Sequence, residues 1–121
     1  MQTELDAEYP NLDIDILSIN MIGAESGTGI AATMGSLPIV NDDNNTQVWA
    51  NWGGAWRDLY ILDRYNQVVT VYNLTLNNLS PGNGFCSDNI NNSQTSCEAI
   101  GETWTENYDY LKELFISLAT Q

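Results

Sequence analysis

Residues 52–74 read WGGAWRDLYILDRYNQVVTVYNL. The runs DLYILD and VVTVYNL are rich in β-branched and aromatic residues, and the intervening RYNQ is turn chemistry, so the stretch predicts a β-hairpin. Gly53 and Gly54 end whatever precedes it, and a single arginine, Arg57, stands just before the first strand. Immediately upstream, NNTQVWANWGG predicts a short helix capped by Asn44 or Asn45 and stopped by Gly53, with Val48, Trp49 and Trp52 on its buried side.

Working outward, TELDAEY (residues 3–9) reads as the last turns of a helix with Leu5 and Tyr9 on one face, ended by Pro10 and Asn11. In LDIDILSINMI, Leu12, Ile14 and Ile16 alternate with Asp13 and Asp15, and then Leu17, Ile19 and Met21 take the opposite face. That pattern predicts a strand running from solvent into a covered sheet. GAESGTG reads as a loop, and IAATMGSLPIVNDD as a helical turn followed by an extended Leu-Pro segment. About residues 76–104 are polar, which predicts an insertion carrying its own staple. The chain closes on TENYDYLKELFISLA, an amphipathic helix with Thr105 as cap and a stripe of Tyr108, Leu111, Leu114, Phe115 and Leu118. The expected order is helix tail, strand, helix, strand, strand, helix, in one domain spanning residues 1–121 with the insertion at 76–104.

Composition removes several chemistries. The chain has 121 residues, no His and two Cys. Histidine-based triads, histidine metal sites and four-cysteine zinc sites therefore cannot be built from it. Three basic residues (Arg57, Arg64, Lys112) face 16 acidic ones, for a formal charge of −13. Nucleic acid and anionic membrane surfaces are repelled by such a charge, and the acidity itself reads as a strongly hydrated surface. No apolar run approaches the roughly 20 residues of a membrane span.

Cys86 and Cys97 bracket ten residues rich in Ser, Asn, Asp and Gln, with no basic neighbour to lower a thiol pKa. So polar a loop has little else to hold it, which predicts a Cys86–Cys97 disulfide and an oxidising, extracytoplasmic setting. Trp104 is expected to cover the bridge. The opening MQTELDAEYP has neither the basic nor the apolar segment of an export signal.

The stretch LPIVNDDNNTQVWANWGGAWRDLYILDRYNQVV resembles the thioredoxin-like redoxin superfamily, which includes the peroxiredoxins. Members commonly show a Leu-Pro and Asp segment, a short helix, a strand ending in Asp, and a hairpin. A bacterial group of thioredoxin-like proteins with Asn-Leu-Thr after the second hairpin strand is a closer match, seen here as Asn73, Leu74 and Thr75. The likeness covers about residues 3–75 and the final helix. It implies an α/β thioredoxin-like three-layer sandwich, truncated at the N-terminus, with a hairpin, a disulfide-stapled insertion and a terminal helix. The implied parent activity is thiol–disulfide or peroxide redox chemistry on protein thiols, disulfides or peroxides, with no bound cofactor.

Redoxins place a nucleophilic thiol or selenol at the N-terminus of the first helix, where helix dipole and backbone N–H groups stabilise the anion. By the resemblance that position falls before the helix tail of residues 3–9, so neither Cys86 nor Cys97 occupies it and no catalytic residue is assigned. The expectation is that the reading frame continues upstream of Met1 into the missing strand and nucleophile. A selenocysteine there, encoded by UGA and read as a stop, would account for a start at the next Met. As given, the chain is expected to be redox-inactive. A strand missing from the sheet centre would leave Ile14, Ile16, Leu59 and Ile61 on an open edge and favour self-association.

The residues expected to face the active site are Ala55, Trp56 and Arg57. By the resemblance, Arg57 stands where peroxiredoxins carry an arginine facing the nucleophile, and its guanidinium could steady a thiolate or orient a peroxide oxygen. The other use of Arg57 is pairing with Asp58 or another carboxylate, the commoner fate in so acidic a chain. Trp49, Trp52 and Trp56 at near-helical spacing read as core rather than as a sugar-stacking surface, with Trp56 the most exposed. NDDNNT and SDNINNS offer oxygen ligands but lack the calcium-loop pattern, and they read as turns. Asn44, Asn73, Asn78 and Asn91 each head an Asn-x-Ser/Thr triplet, which matters only on a glycosylating secretory route. The reading that competes with a redoxin is a secreted, non-catalytic binding or structural module on the same scaffold.

Overall fold

The structure, a computed structural model, describes residues 1–33, 35 and 37–121. It is mixed α/β, with five helices, a 3₁₀ turn and three two-stranded sheets among the described residues. The chain divides into two compact units, Met1–Trp56 and Arg57–Gln121.

The first unit opens with helix α1, Gln2–Glu8, whose Leu5 is buried, and Tyr9 ends it one residue before Pro10. The apolar alternation that follows is real at the level of burial: Leu12, Ile14 and Ile16 are half-buried while Asp13, Asp15 and Leu17 are exposed. The strand itself is much shorter than the alternation predicts, because β1 is only Ser18–Asn20. Backbone groups of the preceding segment pair with a side chain instead: the Gln2 amide donates to Ile14 O at 2.7 Å and accepts from Ile16 N–H at 2.8 Å. The opposite face is not covered as expected, since Leu17 and Met21 are exposed.

After a 3₁₀ turn (Glu25–Gly27) and helix α2 (Thr28–Thr33), strand β2 (Ile39–Asn41) returns parallel to β1 with Ile19 opposite Val40. The stretch read as a loop therefore supplies the start of a helix. Where the expected helical turn reaches Met34 and Ser36, it lies outside the described residues. At the end of the pair, Asn20 donates to Ala24 O, Thr28 Oγ1 and Asn41 Oδ1 at 2.7, 3.2 and 3.2 Å, which ties the crossover to both strands.

Helix α3 is Val48–Trp52 and stops at Gly53, whose φ of 65° is the left-handed conformation that glycine adopts without strain. Its cap differs from expectation. Neither Asn44 nor Asn45 caps it; the buried carboxylate of Asp42 accepts the N–H groups of Val48 and Trp49 at 2.9 and 3.0 Å. A carboxylate does better than an amide here because it accepts on both oxygens beside the positive end of the helix. The Trp49 indole donates to Ile19 O at 3.0 Å and is half-buried, whereas Trp52 is exposed rather than on a buried side.

In the second unit, β3 (Asp58–Leu62) and β4 (Val68–Asn73) form the expected antiparallel hairpin, with Asp58 opposite Asn73 and an irregularity between Ile61 and Leu62. Asp63 closes the turn by accepting from Tyr65 and Gln67 N–H, and Asn66 takes a positive φ of 59°. Ile61 is buried; Val68, Val69 and Val71 are exposed.

The polar insertion holds regular structure. Strands β5 (Gly84–Cys86) and β6 (Trp104–Glu106) pair antiparallel and flank helix α4 (Gln94–Ala99), which Ser93 caps. The Cys86–Cys97 disulfide joins β5 to α4 across a Cα separation of 5.7 Å, with both residues fully buried. Gly84 allows the close approach of β6, since a Cβ there would lie 2.9 Å from Glu106 Cα. Helix α5 (Asn107–Ala119) starts one residue later than the Thr105 cap predicts, with Glu106 at the N-cap, because Thr105 and Glu106 belong to β6. Its stripe is as expected: Leu111 is buried, and Tyr108, Leu114, Phe115 and Leu118 are half-buried. Tyr110 stacks on Tyr72 at 6.1 Å and meets the edge of Phe85 at 5.5 Å, joining α5 to β4 and β5.

Candidate functional site

Arg57 has a φ of 65°, in the region that residues with a Cβ adopt at a cost of roughly 1–2 kcal/mol. The ends of the hairpin hold it there. Its carbonyl accepts Leu74 N–H at 2.9 Å, extending the β3–β4 ladder by one bond. The adjacent Asp58 accepts the Asn73 amide at 2.8 Å, and Asn73 Oδ1 in turn accepts Thr75 and Leu76 N–H at 2.9 and 3.1 Å. The Asn-Leu-Thr segment is thus a turn built on the Asn73 side chain, and it places Leu74 beside Arg57.

Arg57, Leu74, Asn78, Leu79, Ser80 and Tyr108 line an open pocket of about 320 Å³ within the second unit. Two further bonds shape it: Ser80 N–H donates to Asn78 Oδ1 at 2.8 Å, and the buried Asn107 donates its amide to Asn78 O at 3.0 Å. Tyr108 is the second residue of α5, a helix whose N-cap, Glu106, makes no side-chain capping bond. Glu106 instead accepts Gly82 N–H at 3.3 Å. The lining therefore combines an exposed arginine, an asparagine, a serine and a tyrosine with two leucines.

Of the residues expected to face an active site, Ala55 and Trp56 close the first unit and Arg57 opens the second. All three are exposed, Trp56 at 71%. Cys86 and Cys97 are both consumed by the disulfide, and no free cysteine is present. Trp104 stands directly opposite Cys86 in the β5–β6 ladder, and its indole N–H is buried without a hydrogen-bond partner. Among the described residues, no group of three or more acidic or cysteine side chains is placed to hold a metal ion, and no helix is long and apolar enough to cross a membrane.

The acidic turns are ordered by their own carboxylates. Asp43 is held below the usual carboxyl range by the N–H groups of Thr46 and Asn45, and Asp88 by those of Ile90 and Asn91. These are the two stretches, NDDNNT and SDNINNS, that carried oxygen ligands without a calcium pattern. Sequence reading found Arg57 but missed Asn78, Ser80 and Tyr108 as its neighbours. Asn78 and Ser80 were legible only as a glycosylation triplet, and Tyr108 only as part of a helix stripe.

Protein-family models, curated proteins and solved structures were all compared with the chain, and none matches it.

Proposed function

We propose that the chain is a thioredoxin-like redoxin domain, built on a partial three-layer sandwich, whose parent activity is thiol–disulfide or peroxide redox chemistry. The observation that supports it is the order of pairings: a parallel β1–β2 pair joined through a helix, then an antiparallel β3–β4 hairpin, then a terminal helix, with Arg57 held immediately before β3. In this reading Arg57 faces the nucleophile, and Ala55 and Trp56 border it. This chain performs no redox turnover, because its two cysteine sulfurs are bonded to each other and buried. The setting is extracytoplasmic, supported by that disulfide.

The test is to assay this chain, and any longer natural form that contains it, for insulin-disulfide reduction and peroxide consumption. The expected result is no turnover by this chain and turnover by a form that carries a thiol or selenol facing Arg57. Turnover by this chain, lost on replacing Cys86 or Cys97, would move the site into the insertion. A form that carries such a group and shows neither activity would overturn the redoxin reading.

One observation favours the second reading, a secreted binding module: Trp56, Leu76 and Ile90 are 71%, 84% and 83% exposed. Self-association through an open sheet edge at Ile14, Ile16, Leu59 and Ile61 belongs to the redoxin reading; Ile61 is buried and the other three are half-buried, and sedimentation across a concentration series tests it.

A further inference from the structure

Asn83 is the only asparagine of the chain that precedes a glycine. Such a pair is chemically labile, because no side chain on the glycine hinders its nitrogen from attacking the asparagine side-chain carbonyl. The fold requires that glycine: a Cβ on Gly84 would collide with Thr105 O and lie 2.9 Å from Glu106 Cα. Strands β5 and β6 therefore pack closely only with the residue that leaves Asn83 open to attack. The ladder also leaves the attacking nitrogen unused. Asn107 N–H donates to Asn83 O and Ser87 N–H to Thr103 O, both at 2.9 Å, so Gly84 and Glu106 form the pair that exchanges no bonds, and Gly84 N–H is directed away from β6. Asn83 itself is exposed, at the start of β5, with its side-chain amide donating to Ser80 O at 2.9 Å.

We propose that Asn83 is a self-modification site, converted to aspartate and isoaspartate through attack by the Gly84 nitrogen, and that the Cys86–Cys97 bridge sets the rate by holding β5 in its ladder. In the first step the Gly84 nitrogen loses its proton and bonds to Asn83 Cγ, the Cγ–Nδ2 bond breaks, and Nδ2 leaves with that proton as ammonia. Water then adds to either carbonyl of the cyclic imide and opens it, to aspartate or to isoaspartate. No electrons are exchanged. Closing the ring requires the peptide plane between Asn83 and Gly84 to turn, and the Asn107 N–H bond to Asn83 O opposes that turn. Conversion therefore proceeds through local opening of the ladder end. Cys86, two residues beyond Gly84 and fully buried, fastens β5 to α4 and limits such opening. Isoaspartate lengthens the backbone by a carbon atom and adds a carboxylate near that of Glu106, which accepts Gly82 N–H at 3.3 Å. The converted strand cannot rebuild the same ladder end, so the change loosens β5–β6 permanently.

The experiment incubates the full, bridged chain in mildly alkaline buffer made with isotopically labelled water. Peptide mass spectrometry follows it, with fragmentation that separates aspartate from isoaspartate. The expected result is uptake of labelled oxygen at residue 83 ahead of every other asparagine, both products present, and a thermal midpoint that falls as conversion proceeds. Asn83→Gln, whose longer side chain does not close the same ring, is expected to keep its midpoint through the same incubation. The chain carrying Cys86→Ser and Cys97→Ser is expected to convert at residue 83 about tenfold faster or more, because β5 leaves the ladder more often. An Asn83 amide that persists or is outpaced at another asparagine, aspartate without isoaspartate, or an equal rate with and without the bridge would each overturn the proposal. Should the double-serine chain fail to fold, the site of conversion and the isoaspartate content in the bridged chain decide.

Discussion

The carboxylate of Asp42 accepts the backbone N–H of Trp49 at 3.0 Å, across seven residues of sequence, and the Trp49 indole donates to Ile19 O at the same distance. One acidic side chain thereby orients the helix that carries the indole, and the indole fastens that helix to β1. Asp42 is only 5% exposed, and its carboxyl is held below the usual range chiefly by the Trp49 N–H, then by those of Val48 and Asp43.

Acid should therefore loosen the first unit through Asp42. A carboxyl depressed in the folded state contributes stability that is present above its unfolded value, about 4, and is lost as pH falls through the lower folded value. Thermal midpoints followed by circular dichroism should drop between about pH 5 and pH 2. Asp42→Asn should lower the midpoint at neutral pH and flatten part of that slope, leaving the share due to Glu25, Asp43 and Asp88. An unchanged slope would remove Asp42 from this role.

Cys86 and Cys97 should resist alkylation in unreduced protein, and mass spectrometry should show the chain two hydrogens short of its reduced mass. Replacing both by Ser should destabilise the protein by about 2–3 kcal/mol, as expected for a bridge closing a loop of this size. Two modified thiols in oxidised protein would refute the pairing.

Gly84→Ala should destabilise the β5–β6 pair by about 1–3 kcal/mol, because the added methyl meets the backbone of Thr105 and Glu106 rather than a side chain that can turn away. Denaturant unfolding would read the cost, and a neutral substitution would mean that the strands separate easily.

Tyr110 meets both Tyr72 and Phe85, so a double-mutant cycle between Tyr110→Leu and Phe85→Leu should return a coupling of about 0.5–1.5 kcal/mol. Burial, and then Tyr110, raise the Tyr72 hydroxyl above its ordinary range. Tyr110→Leu should let Tyr72 ionise at lower pH, which ultraviolet titration would detect.

Several features needed no tertiary information. The DLYILD and VVTVYNL runs form their hairpin because β-branched and aromatic alternation around a polar turn is a local property. Gly53 stops its helix because it takes a left-handed conformation without strain, and the α5 stripe follows from helical spacing. The Cys86–Cys97 bridge was legible because no other sulfur competes and the loop between them is short.

Other features depended on partners distant in the chain. The alternation from Leu12 to Ile16 set which side chains are buried, but strand hydrogen bonds need a neighbour, and the Gln2 amide took those groups instead. Asn44 and Asn45 have good capping chemistry, yet Asp42 reached the helix first because the end of β2 delivers its carboxylate there. The pocket at Arg57 joins residues 57, 74, 78–80 and 108, and no periodicity links positions so separated. Local pattern determined the elements of this protein; the pairing of backbone donors and acceptors across long sequence gaps decided where strands end, which side chain caps which helix, and what surrounds its first arginine.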